Sequence, residues 1–268
     1  MTAQQLADNR AMWDGSVEGH VAGDFYRVSE FLAGRDPIPP YERAELGDVS
    51  GLDVLHLQCH FGQDTLALAR SGATVTGVDF SGEAIAAAER LAEQAGLEGT
   101  FLESDVYAAH DVLDGAMFDL VYVNVGALCW LPSVARWAEV VARALRPGGT
   151  LYLRDVHPVI ATIEEVDGRL EFLYPYSVEA GVVSYEDGLQ YASENPPRPN
   201  HQWSHSLGEI ITSIVGAGMQ VEWLKEHFAA DWQALPAMAK IDDWMFALPE
   251  PLRDRVPMTF SLRATLPG

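Results

Sequence analysis

Asp79, about 17 residues downstream of Gly62, is the first place where this chain could do chemistry. The residues around the pair run Val54-Leu55-His56-Leu57-Gln58-Cys59-His60-Phe61-Gly62-Gln63-Asp64-Thr65 and then Val75-Thr76-Gly77-Val78-Asp79-Phe80-Ser81. They read as a buried strand, a tight turn, a helix, and a second buried strand that ends on the acid. Parallel α/β sheets place a nucleoside at such a point. The turn approaches the ligand with backbone N–H groups, the helix N-terminus adds positive potential, and the acid accepts hydrogen bonds from ribose hydroxyls. The spacing is close to the ~20 residues expected of a nucleotide-binding βαβ unit. A second candidate is His157, which follows Arg154-Asp155-Val156. The carboxyl ends of parallel strands are where α/β enzymes place reacting groups, and an imidazole there can take a proton near neutral pH. The competing reading is a hydrogen bond to the backbone of the segment that follows. His201 and His205 stand four apart, as in some metal sites. No further carboxylate or cysteine completes a ligand set, so no metal is expected. His205 reads as a helix cap or, with Trp203, as pocket lining.

The elements that must position these groups alternate. Strands are expected at 52–57, 73–78, 99–103, 117–124 and 150–155, with helices at 63–71, 81–95 and 133–145 between them. Ser81 serves as an N-cap, and Arg146-Pro147-Gly148-Gly149 forms the turn into the fifth strand. Strands alternating with helices imply a parallel sheet with right-handed crossovers. Residues 1–50 form a helical lead-in, in which Trp13, Val17, His20 and Val21 share helical spacing and the stretch Asp24 to Val28 continues it. The pattern breaks at Pro158. Residues 158–204, rich in Tyr, Pro and Gly, read as an irregular or antiparallel insertion. A helix at 207–216 and strands at 219–226 and 257–265 complete the core. Between those strands, 228–255 holds Trp232, Met238, Trp244, Met245 and Phe246; loops this long are usually functional. Aromatic residues at 172–191 and 228–246 are expected to wall a small-molecule pocket, since such pockets are mainly apolar with a few placed polar groups.

Length and composition narrow the partners. A chain of 268 residues with 48% apolar content suits one large core with insertions. Its formal charge of −22, from 17 basic and 39 acidic residues, repels phosphate backbones, so nucleic acid is not expected as a partner. Two cysteines, Cys59 and Cys129, fit a reduced cytoplasm better than a disulfide scaffold. Neither a signal peptide nor a membrane span is expected, because no apolar run is long enough. The oligomeric state is left open.

The ordered motifs resemble those of the class I S-adenosylmethionine-dependent methyltransferases, over residues 50–157 in sequence and over 207–265 in topology. That family's first motif is commonly Asp-Leu-Gly-Cys-Gly-x-Gly; here it stands as His56-Leu57-Gln58-Cys59-His60-Phe61-Gly62, and only Gly62 keeps its glycine. The second, Val78-Asp79-Phe80-Ser81, is intact. Ser104-Asp105-Val106 matches the third, Phe118 to Asn124 the fourth, and Leu145-Arg146-Pro147-Gly148-Gly149-Thr150-Leu151 the entry to strand five. The resemblance implies a Rossmann-like fold with a mainly parallel seven-stranded sheet, and S-adenosyl-L-methionine as cofactor. It places Asp79 and Phe80 at the ribose, Asp105 and Val106 at the adenine, and Gly62, Asn124 and Val125 along the cofactor. Gln58 and His60 contact its methionine part, unless they only pack beneath the turn. The N-terminal segment folds over the cofactor in similar enzymes, which brings in Trp13 and Tyr26 as contacts rather than plain core. Trp130 falls where the family lines its methyl-transfer channel.

The expected function is methyl transfer to N, O or C of a small organic acceptor, with heteroaromatic and cationic acceptors among the candidates and a natural-product tailoring role by analogy. The expected layout is a cap at 1–50, a cofactor core at 51–157, a substrate-side insertion at 158–204, and the rest of the core at 205–268 with a lid at 228–255. Two alternatives stand beside it. One is an NAD-linked oxidoreductase, whose fingerprint would need three spaced glycines where only Gly62 is present. The other is a non-catalytic cofactor-binding protein, kept open by the altered turn.

Overall fold

Alternation along the central strands builds the sheet's two faces. Leu55 and Leu57 join one apolar cluster, while Val54 joins another on the opposite face, where the His56 ring packs against Tyr122. The computed structural model describes residues 1–177, 179, 181–188 and 198–268. Part of the 158–204 insertion, including Tyr191, lies outside the described residues.

Three helices precede the sheet: α1 (Ala3–Ala22), α2 (Val28–Leu32) and α3 (Pro40–Leu46). Helix α1 begins with a reciprocal cap in which Thr2 and Gln5 satisfy each other's backbone N–H. It stops at Gly23, whose backbone is extended, so the helical pattern expected to run on to Val28 is interrupted. The core follows as β1 (Asp53–Leu57), α4 (Gln63–Arg70), β2 (Thr74–Asp79), α5 (Gly82–Ala95), β3 (Thr100–Glu103), α6 (Ala109–Leu113), β4 (Phe118–Val123), α7 (Val134–Ala144) and β5 (Leu145–Val156). The Ser81 hydroxyl accepts the Ala84 N–H at the start of α5, and Ser133 caps α7 through the Arg136 N–H. Strand β5 is longer than the sequence suggests. Arg146-Pro147-Gly148-Gly149 is drawn into it because Arg146 is held by Asp53 and Asp119, and the two glycines hydrogen-bond Leu266.

After β5 come two antiparallel hairpins, β6 (Ile163–Val166) with β7 (Arg169–Phe172), and β8 (Val182–Gly188) with β9 (Arg198–Trp203). The first turns on Asp167-Gly168, both at positive φ, the pair such a two-residue turn requires. Then follow α8 (Leu207–Gly216), β10 (Gln220–His227), β11 (Ala229–Ala230), β12 (Ala239–Lys240), β13 (Phe246–Ala247) and β14 (Thr259–Thr265).

The main sheet runs β10-β14-β5-β4-β1-β2-β3. Its pairings from β5 to β3 are parallel, and β14 is antiparallel to both neighbours. Helices α6–α8 cover the Leu55/Leu57 face with Trp137, Val141 and Ile214; α1–α5 cover the other with Val17, Phe31, Leu66 and Ala88. The short strands β11–β13 form a separate sheet whose apolar side meets Ile160 and Ile163 in a third cluster. Among the described residues no helix is long and apolar enough to cross a membrane.

Candidate active site

The connection order reverses between β1 and β4, and ligand crevices in open α/β sheets form at that point, beyond the strands' carboxyl ends. A cleft of about 990 Å³ lies there, with room at the upper end of the usual range for small-ligand sites. On one side it is lined by Asp79 and Phe80 after β2, Asp105 and Val106 after β3, and Gln58, His60 and Gly62 after β1. Asp79 is 8% exposed. Its two carboxylate oxygens accept the N–H groups of His60 and Ser81, both at 2.9 Å. Burial pushes its pKa up to about 6 against the pull of those N–H groups. Asp105 caps the short turn at Val106–Ala108 by accepting the Tyr107 N–H at 2.8 Å.

The altered turn keeps a glycine-like backbone. Gln58, His60 and Gly62 have φ of 58°, 50° and 72°. Only Gly62 has no room for a side chain, since a Cβ there would sit 2.6 Å from the Phe101 ring and 2.8 Å from Ala88. Gln58 donates to the Ala127 carbonyl at 2.8 Å, and its Oε1 is buried without a partner. His60 Nε2 meets His20 Nδ1 of helix α1 at 2.9 Å, and burial together with the facing His20 holds its pKa well below the usual value. The Trp13 ring stands edge-on to both His60 and Trp130, while Tyr26 packs edge-on against Phe61. Of these six rings, all but His20 line the cleft. Helix α1 is thus fastened across its opening, helped by Asp14, which accepts from Ser81 Oγ at 2.5 Å.

At the β1–β4 boundary a hydrogen-bonded series runs into the cleft. His56 is buried, and its pKa is lowered to about 3 by burial, so its ring is neutral. It stands 2.8 Å from Thr65 Oγ1 through Nδ1 and 3.1 Å from Asn124 Oδ1 through Nε2. The Asn124 amide donates in turn to Asp64 Oδ2. Asn124, Val125 and Asp64 all line the cleft. The loop carrying Val125 and Trp130 is held from below by Asp155, which accepts the N–H groups of Gly126 at 2.6 Å and Leu128 at 2.9 Å.

The far end is walled by Phe31 and Arg35 from the cap, and by Trp232, Trp244 and Phe246 from the 228–255 segment. Arg154, 1% exposed, binds Asp231 of that segment through two hydrogen bonds of 2.8 and 3.0 Å. Its Nε lies 2.8 Å from Glu42 of α3. Burial raises the Glu42 pKa to about 7, although Arg154 opposes the shift.

Four expectations are corrected. His157 does not line the cleft. Along β5 even-numbered residues face the cleft, as Arg154 and Val156 do, so His157 faces the α7–α8 side. There its Nδ1 accepts the Val159 N–H at 3.1 Å, its Nε2 meets Glu226 at 2.9 Å, and its ring packs edge-on to Phe260. With both nitrogens engaged it has no lone pair for a substrate proton. Trp203 is buried at the end of the β8–β9 hairpin opposite Val182, and His205 is buried with Nε2 donating to the Leu131 carbonyl at 2.7 Å. Neither lines the cleft. Nor does any described residue of 158–204; its β9 instead braces α1, where Asn9 and Asp8 bind His201. Among the described residues no group of side chains is arranged to hold a metal ion. Sequence reasoning missed Arg154, Asp155 and Asp64. The signal for Arg154 was an arginine within an otherwise apolar strand, which burial obliges to find a counter-charge.

The comparisons agree with this geometry. A family model described as a methyltransferase domain matches residues 55–151. The crystal structure of an S-adenosylmethionine-dependent methyltransferase from Mesorhizobium loti superposes with a TM-score of 0.61 at 26% identity, covering 87% of this chain and 99% of that one. A ubiquinone biosynthesis O-methyltransferase of a Methylobacterium species is 31% identical over 190 residues, 70% of this chain and 65% of that protein. A protein of Mycobacterium tuberculosis is 30% identical over 145 residues, 54% of this chain. The match spans only 48% of that relative's length, about half. Fold, motif order and these likenesses agree: residues 55–151 match a methyltransferase domain, and the chain shares the fold of S-adenosylmethionine-dependent methyltransferases.

Proposed function

We propose that the protein transfers a methyl group from S-adenosylmethionine to a small organic acceptor held between the sheet and the 228–255 lid. The observation that carries this reading is the continuity of one cleft from the acids at the ends of β2 and β3 to an aromatic chamber at the lid. The residues fit the cofactor. Asp79 and Asp105 stand where ribose and adenine donors need acceptors, and Gln58 and Gln63 each leave a buried Oε1 without a partner at the same wall. When bound, S-adenosylmethionine supplies a methyl group already activated by its sulfonium. The protein's part is alignment, exclusion of water, and acceptance of a proton where the acceptor carries one. Helix α1, through Trp13 and His20, covers one end, and Trp232, Trp244 and Phe246 flank the acceptor's end. Flat apolar walls suit a planar acceptor, and an enclosed cleft on a strongly acidic chain suits a small molecule rather than nucleic acid. The two cysteines are free, in keeping with a cytoplasmic enzyme. The test is a thermal-shift panel of S-adenosylhomocysteine, S-adenosylmethionine and NAD, followed by an acceptor screen read by a one-methyl mass gain. A shift with NAD alone would overturn the reading. Binding of S-adenosylmethionine without turnover on any acceptor would favour a non-catalytic binder.

A further inference from the structure

Asp64 is a half-buried carboxylate in the cleft wall with no ion-pair partner among the described residues. One of its oxygens takes the Asn124 amide, and the other makes no hydrogen bond among them. The orientation of Asn124 is set from behind, because its Oδ1 lies against the His56 ring, which is itself held by Thr65. The nearby cations are committed elsewhere, Arg154 to Asp231 and Glu42, and Arg43 to Asp36. A carboxylate fixed in this way inside a cleft is stabilised by a ligand cation.

Its place decides which cation. The sheet order β3-β2-β1-β4 sets Asp105, Asp79, Gln58 and Asn124 along one line of strand ends. Two strand spacings, roughly 10 Å, separate β2 from β4. A nucleoside whose ribose is held at Asp79 would carry its 5′ substituent toward β1 and β4, where Asp64 stands. This inference rests on the cofactor reading above. We infer that Asp64, oriented by the Thr65–His56–Asn124 series, is the counter-ion of the α-ammonium group of S-adenosylmethionine. The negative charge thus comes from the start of α4 in a chain whose β1 carries a neutral histidine at 56.

Calorimetry with three probes tests it: S-adenosylhomocysteine, its decarboxylated analogue, which keeps the ammonium, and 5′-methylthioadenosine, which has no amino-acid part. Asp64→Asn, checked for an unchanged circular dichroism spectrum, should weaken the first two by about 10- to 100-fold, the worth of a hydrogen bond to a charged group. It should leave 5′-methylthioadenosine within about twofold of wild type. Asp79→Asn should weaken all three. Equal losses on all three probes with Asp64→Asn would show that the residue shapes the cleft without meeting the ammonium. A loss confined to S-adenosylhomocysteine would assign it to the carboxylate end, and unchanged binding would remove it from the site; each result overturns the inference. Failure of wild type to bind any probe would instead refute the cofactor reading itself, and this inference with it.

Discussion

Asp79 should make nucleoside binding depend on pH in a way that can be worked from its surroundings. Its folded pKa, about 6, stands above the ordinary 3.8 because burial disfavours the charge more than the His60 and Ser81 N–H groups favour it. A raised carboxylate pKa means the folded state binds the proton more tightly than the unfolded chain. Stability therefore rises as pH falls from about 6 toward 3.8, and the ionised acid at neutral pH costs roughly 3 kcal/mol. Ribose hydroxyls donate to the ionised carboxylate, so binding should pull that pKa back down. Below about pH 6, S-adenosylhomocysteine affinity should then fall by up to tenfold per unit, with close to one proton released per site at about pH 5 and almost none at about pH 8. Isothermal titration in two buffers of different ionisation heat reads both quantities. Asp79→Asn should flatten the profile and lose about 2–3 kcal/mol of affinity at neutral pH, since two charge-assisted bonds become neutral. Its effect on stability should be small, because relief of the buried charge offsets the single oxygen left for two N–H groups. Affinity that stays constant from about pH 5 to pH 8 in a folded wild type would refute this account of Asp79.

The remaining expectations concern what holds the cleft together. His157→Ala should lower the unfolding free energy by roughly 1–3 kcal/mol through its two buried hydrogen-bonding nitrogens, while leaving kcat near wild type; a fall of ~10² in kcat would return it to the chemistry. Arg154→Met should destabilise by about 3–5 kcal/mol in urea, because Glu42 and Asp231 lose a buried counter-charge, and adding Glu42→Gln should recover part of that loss. His56, with a folded pKa of about 3 against 6.5 unfolded, contributes stability that is lost as pH falls through 6.5 toward 3, at about 1.4 kcal/mol per unit. The difference in unfolding free energy between wild type and His56→Asn, followed from about pH 7 to pH 4, should carry that one-proton slope; parallel curves would refute it.

Much of the fold was legible because its signals are local. Ser81 and Ser133 cap the helices the sequence assigns to them, and the apolar runs that end at Leu57 and Val123 are β1 and β4. The residues expected around a nucleoside meet in one cleft because each sits within a few positions of a strand end, where topology alone decides the address. What was not legible depended on facing or on distant partners. The strand end alone points His157 at the cleft, but the two-residue alternation puts Arg154 and Val156 inward and His157 outward. Arg154 was visible as a charge in an apolar strand, but its partners lie 112 positions before it and 77 after it, as the numbers Glu42 and Asp231 show. The 158–204 insertion follows a strand end, which by itself points it toward the substrate. Its described hairpins instead spend their inner faces on α1 and on the lid's core.

That use of the hairpins decides what holds the walls of the cleft in place. The cap is fixed at three places: to β9 through Asn9 and His201, to the β1 turn through His20 and His60, and to the start of α5 through Asp14 and Ser81. The lid is fixed by Asp231 to Arg154, and the same guanidinium reaches α3 through Glu42 and Tyr41. One buried cation on β5 thus joins the sheet, the cap and the 228–255 segment beside the aromatic end of the cleft. Removing it would loosen both walls together, because Glu42 and Asp231 share a single counter-charge and neither can be satisfied by the other. The aromatic part of the lid, around Trp244, is tied less tightly. Its ring lies against the Arg35 guanidinium at 4.2 Å, a contact worth about 0.5–2 kcal/mol. On the function proposed above, a segment anchored at Asp231 and lightly held at Trp244 would admit the acceptor by moving its tip, without disturbing the strand ends around Asp79 and Asp105.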